Sequence, residues 1–222
     1  MNPADLTWRS LLFVPADNQK LIDGAQKRGA DALILDLEDA VPGAGNAAAR
    51  KGLAAVIETL SGQGMELLVR INAEPLEQDR DLAACVRPGV RALMVPKVES
   101  AEDLRALDLR IASYEMLNDL EPRSIGVIAL IESPAALFRL VDLASMPRVL
   151  GLALGSEDFS LALGVAPSAD CLTLPCQWLA LAAAARGVRA FGLPTSLANF
   201  RDLDALGQAA ERARGFGLHG AL

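Results

Sequence analysis

Residues 32–39 read Ala-Leu-Ile-Leu-Asp-Leu-Glu-Asp, an apolar run that becomes acidic at its end. Two further segments, Ile131-Glu132-Ser133 and Gly155-Ser156-Glu157-Asp158, also stand where a strand-like run stops and Gly, Ser or Pro begins. A single acid after a strand is commonly a helix cap, but acids from several strands supply the hard oxygen ligands that Mg²⁺ prefers. The sequence therefore predicts a divalent-metal site at the ends of several strands.

Strand-like apolar runs recur along the whole chain and alternate with helical patterns. The runs are Ser10–Pro15, Ala32–Asp36, Glu66–Ile71, Ala92–Val95, Gly126–Ile131, Val149–Leu154, Arg189–Leu193 and Leu218–Leu222. The helical patterns include Gln19–Arg28, Ala47–Leu60, Ala101–Leu107, Pro134–Leu143, Cys176–Arg186 and Leu203–Arg214. Apolar strands that alternate with helices are typical of parallel sheets covered on both faces. We therefore predict a single α/β domain over residues 1–222, a (β/α)₈ TIM barrel that is cut short within strand eight.

An open, doubly wound sheet is the competing architecture. A dinucleotide-binding sheet of that kind carries G-x-G-x-x-G after its first strand, whereas Phe13-Val14-Pro15-Ala16-Asp17 stands there in this chain. This difference favours the barrel.

Composition excludes several classes of partner. The 222 residues are 52% hydrophobic and carry a formal net charge of −7, so there is no basic surface to attract nucleic acid. The longest apolar stretch, Trp178–Ala185, is far shorter than the roughly 20 residues of a membrane-spanning helix, and acidic Asp5 lies where a signal peptide would be basic. We therefore expect a cytoplasmic protein without a nucleic-acid or membrane partner.

Cysteine and histidine usage narrows the chemistry. Cys85, Cys171 and Cys176 form neither an even set nor a CxxC pair, which favours buried free thiols over disulfides or zinc ligands. His219 is the single histidine and lies near the C-terminal end, a poor position for the imidazole base of a Ser-His-Asp or Cys-His hydrolase. If the chain is an enzyme, carboxylates, Arg, Lys or a metal must carry its chemistry.

A TIM barrel places its active site at the carboxyl ends of its strands. Polar residues stand at those ends in strands two to six, namely Asp36, Glu38, Arg70, Asn72, Lys97, Glu99, Glu132 and Asp158. Because side chains alternate along a strand, Asp36 and Glu38 share one face while Leu35 and Leu37 share the other. The sequence thus places the candidate site residues at one end of the barrel.

Six ordered motifs at these positions resemble the citrate lyase β-subunit-like (CitE-like) family of the HpcH/HpaI aldolase superfamily. They are Arg9-Ser10-Leu11-Leu12-Phe13-Val14-Pro15, Leu35-Asp36-Leu37-Glu38-Asp39-Ala40-Val41, Val69-Arg70-Ile71-Asn72, Val95-Pro96-Lys97-Val98-Glu99-Ser100, Ile131-Glu132-Ser133-Pro134 and Gly155-Ser156-Glu157-Asp158. The resemblance covers nearly the whole chain. It implies a TIM barrel that uses Mg²⁺ to cleave or form carbon–carbon bonds.

The resemblance implies a 3-hydroxyacyl-CoA thioester substrate of the citryl-CoA, malyl-CoA or citramalyl-CoA type, cleaved to a keto acid and an acyl-CoA. It further implies that Glu132 and Asp158 bind Mg²⁺, that Arg70 holds the carboxylate of the keto acid, and that the protein forms a homo-oligomer, with a trimer favoured. The chemistry agrees, because a metal polarises the C3 oxygen and an arginine clamps a carboxylate with two hydrogen bonds.

Other interpretations of these residues stay open. Glu132 precedes Ser133-Pro134 and is also placed to favour a helix N-terminus, and Arg70 is also suited to a structural ion pair. Three roles are open to Asp36, Glu38 and Asp39: a catalytic base, a water-mediated contact with the metal, and an ion-pair partner for Arg9 or Lys97. We predict Asp36 and Glu38 as catalytic together with Arg70 and Glu132, and we expect Glu157 to point away from the metal. Arg9 and Lys97 join Arg70 and Glu132 as predicted substrate-binding residues, and Lys20 and Arg50 are further candidates for recognising CoA.

Lys97 suggests a second mechanism, a metal-independent aldolase that forms a Schiff base. Such a lysine needs a lowered pKa, whereas nearby Asp36, Glu38 and Glu99 would raise the pKa of its ammonium group. An ion-pairing role for Lys97 is therefore favoured.

The chain departs from the family at three places. The loop Pro42–Ala47 lacks the lysine that relatives often carry, Gly192 stands where many have Asp, and the sequence given ends within strand eight. These differences support one alternative, a non-catalytic or regulatory subunit that binds a keto acid or CoA metabolite. A malyl-CoA-type thioesterase is a further alternative.

Overall fold

The computed structural model describes residues 2–39 and 45–222. Its strands are β1 (Leu11–Pro15), β2 (Ala32–Asp36), β3 (Glu66–Arg70), β4 (Val90–Val95), β5 (Gly126–Ile131), β6 (Val149–Leu154) and β7 (Arg189–Phe191). Its helices are α1 (Gln19–Ala25), α2 (Asn46–Gly62), α3 (Pro75–Cys85), α4 (Ala101–Leu117), α5 (Pro134–Leu137), α6 (Leu140–Ala144), α7 (Ser156–Leu163), α8 (Ala169–Arg186) and α9 (Leu203–Phe216). Short 3₁₀ helices cover Pro3–Asp5, Gln26–Arg28 and Leu197–Asn199. None of the helices in the described ranges has the length and apolar character of a membrane span.

The strands form one α/β sheet of seven strands in chain order, from β1 to β7. Strands β1 to β4 pair in parallel with their neighbours, as do β6 and β7. Every residue of β2, β5 and β6 is buried, as expected for strands covered on both faces. The predicted alternation of parallel strands and helices is therefore confirmed.

The prediction of an eighth strand at Leu218–Leu222 is wrong for the described chain. Gly220 makes only an isolated parallel bridge with Phe191, and the Ala221 N–H donates to the Arg9 carbonyl oxygen at 2.9 Å. A Cβ atom at Gly220 would lie 2.5 Å from that same oxygen, so the close approach requires glycine. The C-terminal segment thus lies between β7 and the residues that lead into β1, but its pairing is too short to form a strand.

The described chain divides into two compact units. The first contains Ser10–Pro96 and Arg105–Val127, and the second contains Asn2–Arg9, Lys97–Leu104 and Ile128–Leu222. Strand β5 contributes residues to both. A single domain over residues 1–222 stays a prediction.

Two helices, α3 and α7, were not foreseen, and others have different limits. Helix α4 runs ten residues beyond the predicted Leu107 because Leu107, Ile111 and Glu115 continue its buried face. Helix α8 starts at Ala169 because the Ser168 side chain accepts a hydrogen bond from the Cys171 N–H and caps its first turn. Predicted Pro134–Leu143 is divided into α5 and α6.

Candidate functional site

Arg70 and Asp36 form a buried two-point ion pair in the first unit. They end the adjacent strands β3 and β2 and are paired in register. The Arg70 Nε atom donates to Asp36 Oδ1, and Nη2 donates to Asp36 Oδ2, both at 2.7 Å. Only 9% of Arg70 and 0% of Asp36 are exposed, so this charge-assisted pair is shielded from water.

Two more acids surround the same guanidinium group. Arg70 Nη1 lies 2.9 Å from Asp39 Oδ2 and 3.1 Å from Glu38 Oε2, and the group stacks 4.9 Å from the centre of the Phe13 ring. Burial disfavours the charged arginine, but the hydrogen bonds and negative charges of Asp36, Glu38 and Asp39 prevail and raise the pKa of Arg70. Arg70 is therefore a permanent cation facing three carboxylates.

The buried contact between Arg70 and Asp36 corresponds to the alternative role of Arg70, that of a structural ion pair. Among its partners, the Asp39 side chain is the most open, at 56% exposed, against 1% for Asp36 and 7% for Glu38. An incoming carboxylate would therefore replace Asp39 most readily. The assignment of Arg70 to substrate binding stays a prediction, as do catalytic roles for Asp36 and Glu38.

Asp81 is a buried acid of this unit that the sequence analysis missed. It lies on α3, is 0% exposed, and accepts hydrogen bonds from the Asn72 N–H at 2.7 Å, Asn72 Nδ2 at 2.8 Å and Arg50 Nε at 2.6 Å. The available signal was its place beside Leu82 and four residues before Cys85, on the apolar face of α3. An acid on that face needs a polar partner.

Arg50, on α2, donates hydrogen bonds to two acids of α3. Its Nη2 atom donates to Glu77 Oε2 at 2.6 Å in addition to the bond with Asp81. Burial opposes the charge on Arg50, but the bonds to Asp81 and Glu77 raise the pKa of its guanidinium group. The hydrogen bond from Arg50 correspondingly lowers the pKa of Glu77. A role for Arg50 in binding CoA stays a prediction.

Glu132, the predicted metal ligand at the end of β5, is fixed from two sides in the second unit. Its Oε2 atom accepts a hydrogen bond from the Lys97 N–H at 2.7 Å. A Cβ atom placed on Gly155 would lie 2.6 Å from Glu132 Cγ, so the glycine makes room for this side chain. Lys97 has a left-handed backbone with φ of 53°, which is uncommon for a residue other than glycine and typical of functional segments.

Gly155 also precedes α7, whose first turn carries Asp158. Glu132 therefore lies against the residue from which the helix bearing Asp158 starts, and Asp158 is half-buried. Glu157 is turned to another partner, because its Oε1 accepts hydrogen bonds from Ser196 Oγ and the Leu197 N–H, both at 2.9 Å. The positive end of the α7 dipole favours negative groups at this point.

The carboxylate oxygens of Glu132 and Asp158 are ligands of the kind that binds a hard cation. Carboxylate oxygens are what Mg²⁺ selects, and two carboxylates with waters and substrate oxygens complete its octahedron. Ser156 is 3% exposed, and within residues 2–39 and 45–222 its Oγ atom has no hydrogen-bond partner. Across those same ranges no cluster of three or more His, Cys, Asp or Glu side chains is arranged to hold a metal. Metal binding by Glu132 and Asp158 stays a prediction.

The remaining candidate cations lie on the surface. The side chains of Arg9, Lys20 and Lys97 are exposed, and roles for Arg9 and Lys97 in substrate binding stay predictions. Residues 40–44, which include half of the loop Pro42–Ala47 that lacks the family lysine, lie outside the described part of the chain.

A cavity of about 590 Å³ is found between α1 and α2 in the first unit. Its lining includes the acids Asp17 and Asp23 and the small residues Ala48, Gly52 and Ala55. These differ from the residues predicted to form the active site.

Two of the cysteines are buried, and the histidine is hydrogen-bonded to the backbone of β7. Cys85 and Cys176 are buried, and burial raises the pKa of both thiols, that of Cys176 to about 12. His219 Nδ1 accepts a hydrogen bond from the Ala190 N–H at 3.0 Å, which ties the C-terminal segment to β7. Burial and the charge of Arg189 lower the pKa of His219.

Comparisons with known proteins agree on one family. The family model for HpcH/HpaI aldolase/citrate lyase matches residues 9–222. The citrate lyase subunit beta of Escherichia coli K12 is 34% identical over 197 residues, which cover 87% of this chain and 65% of that protein. The chain thus spans less than two thirds of that relative.

Two further relatives extend the comparison. A (3S)-malyl-CoA thioesterase of Cereibacter sphaeroides is 28% identical, over 96% of this chain and 71% of the relative. The solved structure of a citrate lyase beta subunit from M. tuberculosis, complexed with oxaloacetate and magnesium, superposes with a TM-score of 0.77 at 28% identity. That alignment covers 100% of this chain and 92% of the other.

Proposed function

The chain belongs to the HpcH/HpaI aldolase/citrate lyase family, and on that basis we propose that it is a Mg²⁺-dependent carbon–carbon lyase acting on a 3-hydroxyacyl-CoA thioester. The products are a keto acid and an acyl-CoA, and the substrate is of the citryl-CoA, malyl-CoA or citramalyl-CoA type. The seven-stranded α/β sheet supports the TIM-barrel fold that the sequence predicts, without an eighth strand in the described residues.

One observation carries this proposal. Glu132 is held by the Lys97 N–H and lies against Gly155, immediately before the helix whose first turn contains Asp158. A carboxylate whose rotamer is fixed by backbone contacts is already in place for a metal ion, so little ordering accompanies binding. The magnesium in the M. tuberculosis relative supports the choice of metal.

Each residue then has a defined task. Glu132 and Asp158 hold Mg²⁺, which when bound polarises the C3 oxygen of the substrate. Arg70 orients the keto-acid carboxylate after replacing its contact with Asp39, Asp36 keeps the guanidinium group in position, and Glu38 is the proposed base. Lys97 fixes Glu132 through its backbone.

Magnesium binding tests the proposal. Titration calorimetry of the folded protein is expected to show uptake of Mg²⁺, strengthened by oxaloacetate, and Glu132→Gln or Asp158→Asn is expected to weaken it at least about tenfold because each removes an anionic ligand. Glu157→Gln is the matched control, since it alters the neighbouring acid but retains an oxygen for Ser196 and Leu197. Absence of uptake by the folded protein, or equal weakening by the control, would contradict the proposal.

Product analysis separates the proposed lyase from the alternatives. With citryl-CoA, malyl-CoA and citramalyl-CoA, the lyase yields a keto acid and an acyl-CoA. A thioesterase, favoured by the likeness to the C. sphaeroides protein, instead yields free CoA and an intact hydroxy acid. A binding subunit takes up oxaloacetate with Mg²⁺ but produces neither. A borohydride-trapped adduct on Lys97 would replace the metal mechanism with the Schiff-base mechanism.

We further propose that the protein is cytoplasmic and forms a homotrimer. Exposed apolar side chains at the C-terminal end of α5 and on α8 support self-association, with Phe138 73%, Leu174 62% and Leu181 70% exposed. Light scattering after gel filtration is expected to give three times the chain mass of 23.4 kDa.

A further inference from the structure

We propose that Asp81 is a positioning residue that acts through Asn72 on the exit of β2, where Asp36 and Glu38 lie. Neither Asp81 nor Asn72 has a part in the function proposed above, on which this inference rests. The effect of Asp81 passes through hydrogen bonds of the first unit, each of which is present in the structure.

The pairing of β2 and β3 changes at Asn72. The Leu37 N–H donates to the Arg70 carbonyl at 3.0 Å, so in a regular parallel ladder the Asn72 N–H would donate to the Leu37 carbonyl. Instead, the side-chain Nδ2 of Asn72 donates to the Leu37 carbonyl at 2.9 Å, and the Asn72 N–H donates to Asp81 at 2.7 Å. A side chain has therefore taken the place of the backbone in the ladder.

Asp81 determines this exchange. One of its oxygens, Oδ2, accepts both the backbone and the side-chain donors of Asn72, while Oδ1 accepts from Arg50. The Asn72 carbonyl is held as well, by Gln78 Nε2 at 3.2 Å. Because Asp81 is fully buried, water cannot substitute for these bonds if the carboxylate is lost.

The consequence falls on the acids around Arg70. Leu37 stands between Asp36 and Glu38, so the bond from Asn72 fixes the backbone from which both carboxylates project. Asp36 also accepts the Glu38 N–H at 3.0 Å, which makes residues 36–38 one connected turn. A shift of Leu37 would change the carboxylate positions around Arg70 and therefore its readiness to bind a keto acid.

Substitution of Asp81 by Asn tests the inference. An amide at position 81 presents an NH₂ group to the donors of either Asn72 or Arg50, which disrupts the arrangement while preserving side-chain size. We expect the Kd for oxaloacetate in the presence of Mg²⁺ to rise about tenfold or more, as misplaced site groups commonly cause. The Kd for Mg²⁺ alone, which reports Glu132 and Asp158, is expected to change less than about twofold, within the error of independent sites.

Asp79→Asn on the same helix is the matched control, because Asp79 contacts Arg110 and Tyr114 rather than Asn72. The double variant Asp81→Asn/Asn72→Ala is expected to bind oxaloacetate no more weakly than Asp81→Asn alone, since both changes interrupt one path. Additive losses, or equal oxaloacetate affinity in the Asp81 and Asp79 variants, would overturn the inference. If Asp81→Asn fails to fold, Asn72→Ala alone must produce the selective loss of oxaloacetate binding. Failure of the unaltered protein to bind Mg²⁺ and oxaloacetate would instead refute the proposed function.

Discussion

At the scale of single residues, Gly155 leaves room for the larger side chain of Glu132. The space that a side chain would fill at Gly155 is taken by Glu132, and the Lys97 N–H holds the carboxylate end of that glutamate. Glu132 is thus positioned by two backbone segments, neither of which contributes its own side chain to the contact.

Gly155→Ala is expected to displace Glu132 and weaken Mg²⁺ binding about tenfold or more, because the new methyl group would lie 2.6 Å from Glu132 Cγ. Calorimetry measures the change. Gly207→Ala is the control, since nothing lies within 4 Å of its added Cβ atom. There the substitution should leave metal binding intact and stabilise α9 by about 0.5–1 kcal/mol. An unchanged Mg²⁺ affinity in Gly155→Ala would show that Glu132 is not the ligand.

Arg70→Met tests the buried pair with Asp36. Because removal of the cation leaves Asp36 buried without its two-point partner, we expect the free energy of unfolding to fall by about 3–5 kcal/mol. Urea denaturation measures this loss. Arg91→Met removes an exposed ion pair with Glu66, in which the side chains are 47% and 42% exposed, and should cost less than about 1 kcal/mol. Similar losses in the two variants would contradict the interpretation.

At the scale of secondary-structure elements, strands were easier to predict than helices. The strands β2, β5 and β6 were predicted with their observed limits because continuous apolar runs mark buried strands. Helix α3 was missed because six of its eleven residues are polar or proline, and its single buried acid, Asp81, looks like any surface aspartate in sequence. The partners of Asp81 are Arg50 on α2 and Asn72, which follows β3, so they are visible only after folding.

The candidate site was predictable to a similar degree. The sequence placed Asp36, Glu38 and Arg70 at the carboxyl ends of neighbouring strands, but it named Arg9 or Lys97 as the partner of the acids and did not predict their contact with Arg70. The number of carboxylates around Arg70 and the backbone support of Glu132 depend on loop geometry. No periodic pattern in the sequence encodes that geometry.

The C-terminal segment is expected to loosen in acid through His219. The lowered pKa means that the folded state favours neutral imidazole, so its stabilising contribution is complete above the unfolded value of about 6.5 and is lost as pH falls through the lower folded value. Protonated Nδ1 can no longer accept the Ala190 N–H. Hydrogen exchange at Ala190, corrected for the intrinsic rate, should therefore accelerate below about pH 6.

His219→Asn supplies the control for this pH dependence. An asparagine oxygen can accept from Ala190 but does not titrate, so protection at Ala190 should become independent of pH. Persistent acid sensitivity in this variant would assign the effect to another group.

At the scale of the whole molecule, the two compact units raise the question of cooperativity. Cys85 belongs to the first unit and Cys176 to the second, and both thiols are buried with raised pKa values. Each therefore reacts with a thiol reagent only after its surroundings open.

If residues 1–222 form one domain, as the sequence predicts, Cys85 and Cys176 should become labelled with the same opening free energy under mild denaturant. Single-thiol variants that retain one of them, followed by mass spectrometry, provide the measurement. Half-buried Cys171 should react fastest and serves as the reference for an accessible thiol. Different opening free energies for Cys85 and Cys176 would show that the units unfold separately.

The tryptophans and the tyrosine of this chain lie in different units, so their fluorescence distinguishes one unit from the other. Both tryptophans, Trp8 and Trp178, lie in the second unit, whereas the single tyrosine, Tyr114, lies in the first. Indole emission therefore reports on one unit and phenol emission on the other, without any introduced label. The ring centres of Trp178 and exposed Phe138 lie 5.3 Å apart in an edge-on contact. The emission wavelength of Trp178 should therefore also shift when another surface covers the Phe138 ring.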